Sequence, residues 1–141
     1  FQTYCSLTSS IIETVLIQMG IACHRMPCQI WYQAPHHLFV IGFLGQSLEG
    51  KWDGHVVCAG DDWIIDAATH HFKKDFDLNV PPLVIAPRLL FPTTAIAQMT
   101  INSSDSLLWQ PPPDGFDPLP PTEPRDLVEE YATLLLARLL A

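Results

Sequence analysis

The stretch HVVCAGDDWIID, residues 55–66, decides how the chain is read. Two apolar runs flank Gly60-Asp61, and a Gly-X pair between apolar strands marks a β-hairpin. With the turn centred between Gly60 and Asp61, Ala59 faces Asp62, Val57 faces Ile64, and His55 faces Asp66. Directly opposed residues on one sheet face have Cβ atoms about 4.5–5.5 Å apart. A carboxylate at position 66 then accepts a hydrogen bond from one ring nitrogen of His55 and turns the other nitrogen outward. Val56, Cys58, Trp63 and Ile65 fall on the opposite face, a candidate core surface. A register slip of one residue destroys both arrangements.

A His–Asp pair acquires chemistry when a nucleophile stands beside it, and the candidate lies near the start of the chain. Leu7, Ile11, Ile12, Val15, Leu16 and Met19 recur at three- to four-residue spacing and predict an amphipathic helix closed by Gly20. Ser6, Thr8, Ser9 and Ser10 crowd its beginning, where hydroxyls accept bonds from free backbone N–H groups. Cys5 is therefore expected at or just before the helix N-terminus. A thiol attacks as its thiolate, and the positive end of a helix and a nearby imidazolium both stabilise that anion. Cys5, His55 and Asp66 form the candidate catalytic triad. Taken singly, a cysteine on an apolar helix is a small core residue, a strand histidine is structural, and an aspartate in WIIDAA caps a turn. Those three readings explain neither the helix-start position nor the cross-strand match.

With these residues in view, the chain resembles the transglutaminase-like superfamily within the papain-like cysteine proteinase fold. The resemblance rests on a cysteine opening a helix that ends in IQMGIAC, a histidine strand GHVVCAG, and the following DDWIIDAATHHF, and it covers roughly residues 4–72. It implies an α+β fold in which the nucleophile helix packs on an antiparallel sheet, with a Cys-His-Asp triad at Cys5, His55 and Asp66. It also implies an oxyanion hole made by the cysteine backbone N–H and an upstream side chain, for which Gln2 is the available residue. Trp52, beside Asp53-Gly54 and close to His55, is a candidate wall of the substrate groove. The chain departs from the family pattern at Val56, where an aromatic often stands, and in the short spacing of Gln2 from Cys5. The implied activity is thiol-dependent acyl transfer on a peptide or protein amide. Hydrolysis by a peptidase, amidase or deamidase is slightly favoured over transglutaminase-type amine capture, and no cofactor is called for. A non-catalytic binding module that retains the fold is the alternative from another class.

Elsewhere the pattern is less regular. Ile21–Met26, Gln29–Gln33 and Leu38–Leu44 read as strands punctuated by Pro27 and Pro35, and Lys73–Pro82 as a loop. Leu83–Ile85 and Ala95–Ile101 are further candidate strands. Gln110–Pro124 holds seven of the 13 prolines and must be irregular, a strap over the domain. Leu127, Val128, Tyr131, Leu134, Leu135 and Leu139 predict a closing amphipathic helix over about 125–140, with Pro124 in its first turn. The 141 residues form one expected catalytic domain. The pairs His36-His37 and His70-His71 read as loop residues. A zinc cluster of Cys23, His24, Cys28 and His36 has loose spacing, so no metal is assigned.

Composition narrows the partners. Apolar residues make up 48% and charged residues 16%, which is globular. A net charge of -8 with seven scattered basic residues argues against nucleic acid and anionic membranes. No run approaches the ~18 apolar residues of a spanning helix. Four cysteines in this length do not demand disulfides, so a reduced, cytoplasmic setting is the milder expectation. The first residue is Phe1 rather than Met, and a missing native N-terminus leaves targeting open.

Overall fold

The spine of the fold is β1(His24–Ala34), a single strand of eleven residues. The sequence predicts two strands broken at Pro27, yet the chain runs through it. The Arg25 N–H points away from the neighbouring strand and donates to the Glu13 carboxylate. Alternate residues along a strand aim their N–H groups at the same edge. Pro27 thus loses a donor only on the side where β1 has no strand partner at that point, the position a proline tolerates. The computed structural model describes residues 2–45, 52–89 and 95–141, without the side chains of residues 2–4.

Around β1 the remaining elements are α1(Gln2–Gln18), β2(His37–Ile41), β3(His55–Ala59), β4(Trp63–Asp66), α2(His70–Phe76), β5(Val84–Pro87), β6(Ala97–Thr100), β7(Ser106–Gln110) and α3(Arg125–Leu140). The architecture is α+β. The sheet runs in the order β5-β4-β3-β1-β7-β6, with β2 also paired to β1, and every pairing is antiparallel. The first half of β1 pairs with β3, and its second half is held between β2 and β7. Both α1 and α3 pack together, and α1 lies against β3. α3 docks through two small buried side chains, Val128 and Ala132.

The main core lies on the His55 face of β3. It joins Cys28, Ile30, Val57, Ala59, Ile64, Phe72, Leu107 and Trp109. The face expected to be the core holds Val56 and Cys58, buried beneath α1, while Trp63 and Ile65 are only half-buried. β3 is therefore covered on both sides, and the polar pair sits in the larger core.

Three local predictions are corrected. The serines of α1 do not cap its start. The helix begins at Gln2, so Ser6, Ser9 and Ser10 face inward and are buried. Ser9 and Ser10 return their hydroxyls to the Ser6 carbonyl at 3.0 and 2.9 Å. The apolar stripe over residues 7–19 is mostly half-buried or exposed, because the small side chains take the close approach to β3. The His70-His71 pair lies in a helix, α2, rather than a loop. Finally β7, absent from the sequence reading, lies inside the sheet between β1 and β6. The end of α1 is as expected: Gly20 N–H bonds to Ile17 O at 3.0 Å and Ile21 N–H to Leu16 O at 2.8 Å, the paired bonds of a Schellman motif.

Among the described residues, no helix is long and apolar enough to cross a membrane.

Candidate active site

The hairpin of β3 and β4 has a longer turn than predicted. Cys58 pairs with Ile65 and Ala59 with Ile64. Gly60 N–H bonds to the Trp63 carbonyl at 3.0 Å, closing the turn. A Cβ on Gly60 would lie 2.3 Å from the Trp63 ring, so glycine is required where the indole folds back. The register is displaced by two residues from the expected one. A shift of two keeps every side chain on its face. By this register Asp66 stands opposite Val57 and diagonal to His55, and diagonal neighbours are within reach of longer side chains.

His55 Nε2 and Asp66 Oδ2 are 2.7 Å apart, with side-chain exposures of 0% and 1%. Asp66 gathers two further donors. Trp109 Nε1–H donates to Oδ2 at 3.0 Å, and Ala68 N–H donates to Oδ1 at 3.0 Å. Burial alone would raise the Asp66 carboxyl, yet the His55 charge and these three hydrogen bonds outweigh it and hold it below its ordinary value. His55 is raised for the complementary reason. Burial acts to lower it, and the charges and hydrogen bonds of Asp66 and Cys5 overcome that.

Cys5 lies on α1, which packs against the strand that carries His55. It is wholly buried, packs on Val56 and Ala68, and lies with its Sγ 3.9 Å from the Gly54 carbonyl. Its charge and that of the His55 ring act on one another. Nε2 is taken by Asp66, which leaves the buried Nδ1 as the ring nitrogen a thiol would use. All three sequence-predicted triad residues are thus brought together. One expectation needs correction. Cys5 is the fourth residue of α1 rather than a residue at or before its start. A helix leaves its first N–H groups without intrahelical partners, and a fourth residue sits just past them. The Gln2 side chain, the tentative oxyanion donor, lies outside the described residues.

Two residues that the sequence reading missed complete the site. Trp109 comes from β7 and fixes Asp66, as described. Arg25, on β1, donates to Ser9 Oγ at 3.1 Å, to Ser6 O at 3.1 Å and to Ser6 Oγ at 2.7 Å, and its positive charge acts on Cys5. Trp52, proposed for the groove wall, packs on the Cys5–Val56–Ala68 cluster. Its ring lies over Gly54, where a Cβ would come within 2.2 Å of it.

The other cysteines are poorly suited to attack. Burial pushes Cys28 well up, reinforced by the charges of Asp66 and Cys5. Cys58 is raised by burial and by the neighbouring Cys23 thiol, and Cys23 is raised by burial. All four cysteines are thiols. His70 turns its Nδ1 to the Ala67 carbonyl at 2.9 Å and stacks on His71, away from the triad. Among the described residues, no three His, Cys, Asp or Glu side chains converge as a metal site, and Cys23, His24, Cys28 and His36 do not meet. Compared with family models, with curated proteins and with solved structures, the chain gives no match.

Proposed function

We propose that the chain is a thiol-dependent acyl-transfer enzyme with a papain-like, transglutaminase-like core, acting on a peptide or protein amide. One observation carries the reading. A buried imidazole gives one nitrogen to a carboxylate that has three donors, and the charge of a buried cysteine acts on the same ring. In this reading His55 and Arg25 hold Cys5 as thiolate. The Sγ attacks the amide carbonyl carbon, and the C–N bond breaks as His55 Nδ1–H protonates the leaving amine. Asp66 keeps the imidazole in the tautomer and orientation this requires. Water then attacks the thioester with His55 as base, returning the acid and the thiol. An amine in place of water gives a new amide.

Incubation with a peptide library, with and without added amine, read by mass spectrometry, tests the proposal. Cleavage, conversion of Gln to Glu, or an amine adduct would each name one outcome, and Cys5→Ala must abolish it. A library left unchanged under every condition, with no covalent label on Cys5 from an acylating probe, would sink it. The non-catalytic module is favoured by one observation, the complete burial of Cys5 and His55.

A further inference from the structure

Cys5 has no exposed surface, so a substrate reaches it only if something moves. Among the described residues, the half-buried group packed on the Cys5 cluster is the Trp52 indole. The segment 111–124 is tied to it. Trp52 Nε1–H donates to the Asp117 carbonyl at 3.0 Å. Phe116 of the same segment stacks edge-on with Phe43 at 5.9 Å, and Phe43 with Trp52 at 5.6 Å. The segment is tied again next to the nucleophile. The Pro121 carbonyl accepts from Ser6 Oγ at 3.2 Å and from Arg25 Nη1 at 3.1 Å.

The strap itself has little to hold it. Residues 111–124 contain seven prolines and form neither helix nor strand. Proline supplies no N–H, so the segment has few internal backbone bonds. Most of it is exposed, Leu119 at 73%. A segment with few buried contacts and few bonds lies at the low end of local stability and opens without unfolding the core. Its hydrogen-bonded ties to α1, β1 and Trp52 run to main-chain carbonyls, groups that any peptide presents. Their donors are Trp52, Ser6 and Arg25.

We propose that residues 111–124 are a displaceable latch that occupies a peptide groove over Cys5, and that an extended peptide substrate enters by taking its place. This rests on the thiol reading above and adds its regulation and substrate class.

The test uses the full chain and follows iodoacetamide alkylation of the Cys5 peptide at neutral pH by mass spectrometry. Combined Trp52→Phe and Phe116→Ala removes one hydrogen bond and one aromatic contact. The Cys5 rate should rise about tenfold, in proportion to the open population. Leu119→Ala should leave it unchanged. Adding the free peptide of residues 111–124 to the double variant should slow it again. Should the double variant lose its cooperative melt, Pro120→Gly with Pro121→Gly loosens the strap without touching the core, and the same rise is expected. A folded latch variant whose Cys5 rate stays at the wild-type value overturns the latch, as does a free peptide that offers no protection. Repeating the series in a His55→Ala background separates the two claims. A latch effect that survives there beside a His55-independent pH profile keeps the latch and refutes the triad. A His55-dependent profile with no latch effect does the opposite.

Discussion

Asp66→Asn is the substitution whose consequence the structure makes most definite. It keeps the shape of the side chain and removes its charge. Were Asp66 only a partner for His55, the fold would hardly notice, because the imidazole can change tautomer. The carboxylate, however, serves three donors on two oxygens: His55 Nε2 and Trp109 Nε1 on Oδ2, and the Ala68 N–H on Oδ1. An asparagine has one acceptor oxygen. Placed at the Oδ2 position, it turns its NH₂ against the Ala68 N–H. Flipped, it turns the NH₂ against the indole N–H. Neither the indole nor the backbone amide can reverse its role. A buried donor left without an acceptor costs about 1–3 kcal/mol, and the lost charge-assisted bonds add to that. The sum, about 2–4 kcal/mol, lowers the melting temperature of a domain this size by roughly 6–12 °C. Circular dichroism melts of wild type, Asp66→Asn, Trp109→Phe and the double variant measure it. With the indole donor gone, the Asn substitution should cost about 1 kcal/mol less than in wild type. An Asp66→Asn protein that melts with wild type, or additive costs in the double variant, would refute the shared-acceptor geometry.

Further outcomes follow from the same site and its supports. His55 is raised above its ordinary 6.5, so its ion pair contributes full stability below 6.5 and loses it as pH climbs into the alkaline range. Asp66 is held below its ordinary 3.8, so its contribution is present above 3.8 and lost as pH falls below it. Melting temperature against pH should therefore decline at both ends, and His55→Gln should flatten both limbs. Gly54→Ala drives a Cβ into the Trp52 and Phe43 rings and should cost about 1–3 kcal/mol in urea unfolding, as overpacking does. Ala132→Leu at the α1–α3 contact should cost a similar amount, read in the same way. Cys5→Ala should abolish acyl transfer, whereas Cys28→Ala, a buried thiol that burial keeps protonated, should keep the chemistry at reduced stability, as paired activity assays and melts would register.

What the sequence made legible was local or parity-based. The side-chain period of two in a strand put His55 and Asp66 on one face, and that survived a register error of two residues. The turn itself was misread because the Trp63 indole folds over Gly60, a contact no pair rule contains. The Schellman end of α1 follows from Gly20 and its neighbours alone. The buried face of α1 was misassigned because hydropathy favours the leucines and isoleucines, while the close approach to β3 selects serine and cysteine. α2 spans seven residues, too few for a helical repeat to show, and is fastened by Phe72 in the core. β7 and its Trp109 meet Asp66 across 43 positions of sequence, a contact that only the completed sheet creates. The strap was recognised from its prolines, but its grip on Trp52 depends on the tertiary fold.

The central claim is that Cys5, His55 and Asp66 share one charge system, and the most direct measurement is the imidazole titration of His55 by NMR. It needs no access to the thiol and is independent of the latch. In wild type the His55 ring should remain protonated well above pH 6.5, held by the Asp66 and Cys5 charges. Cys5→Ala should move the titration to lower pH, and Asp66→Asn should move it further, since burial then acts with less opposition. A His55 that titrates at the same pH in all three proteins would contradict the triad.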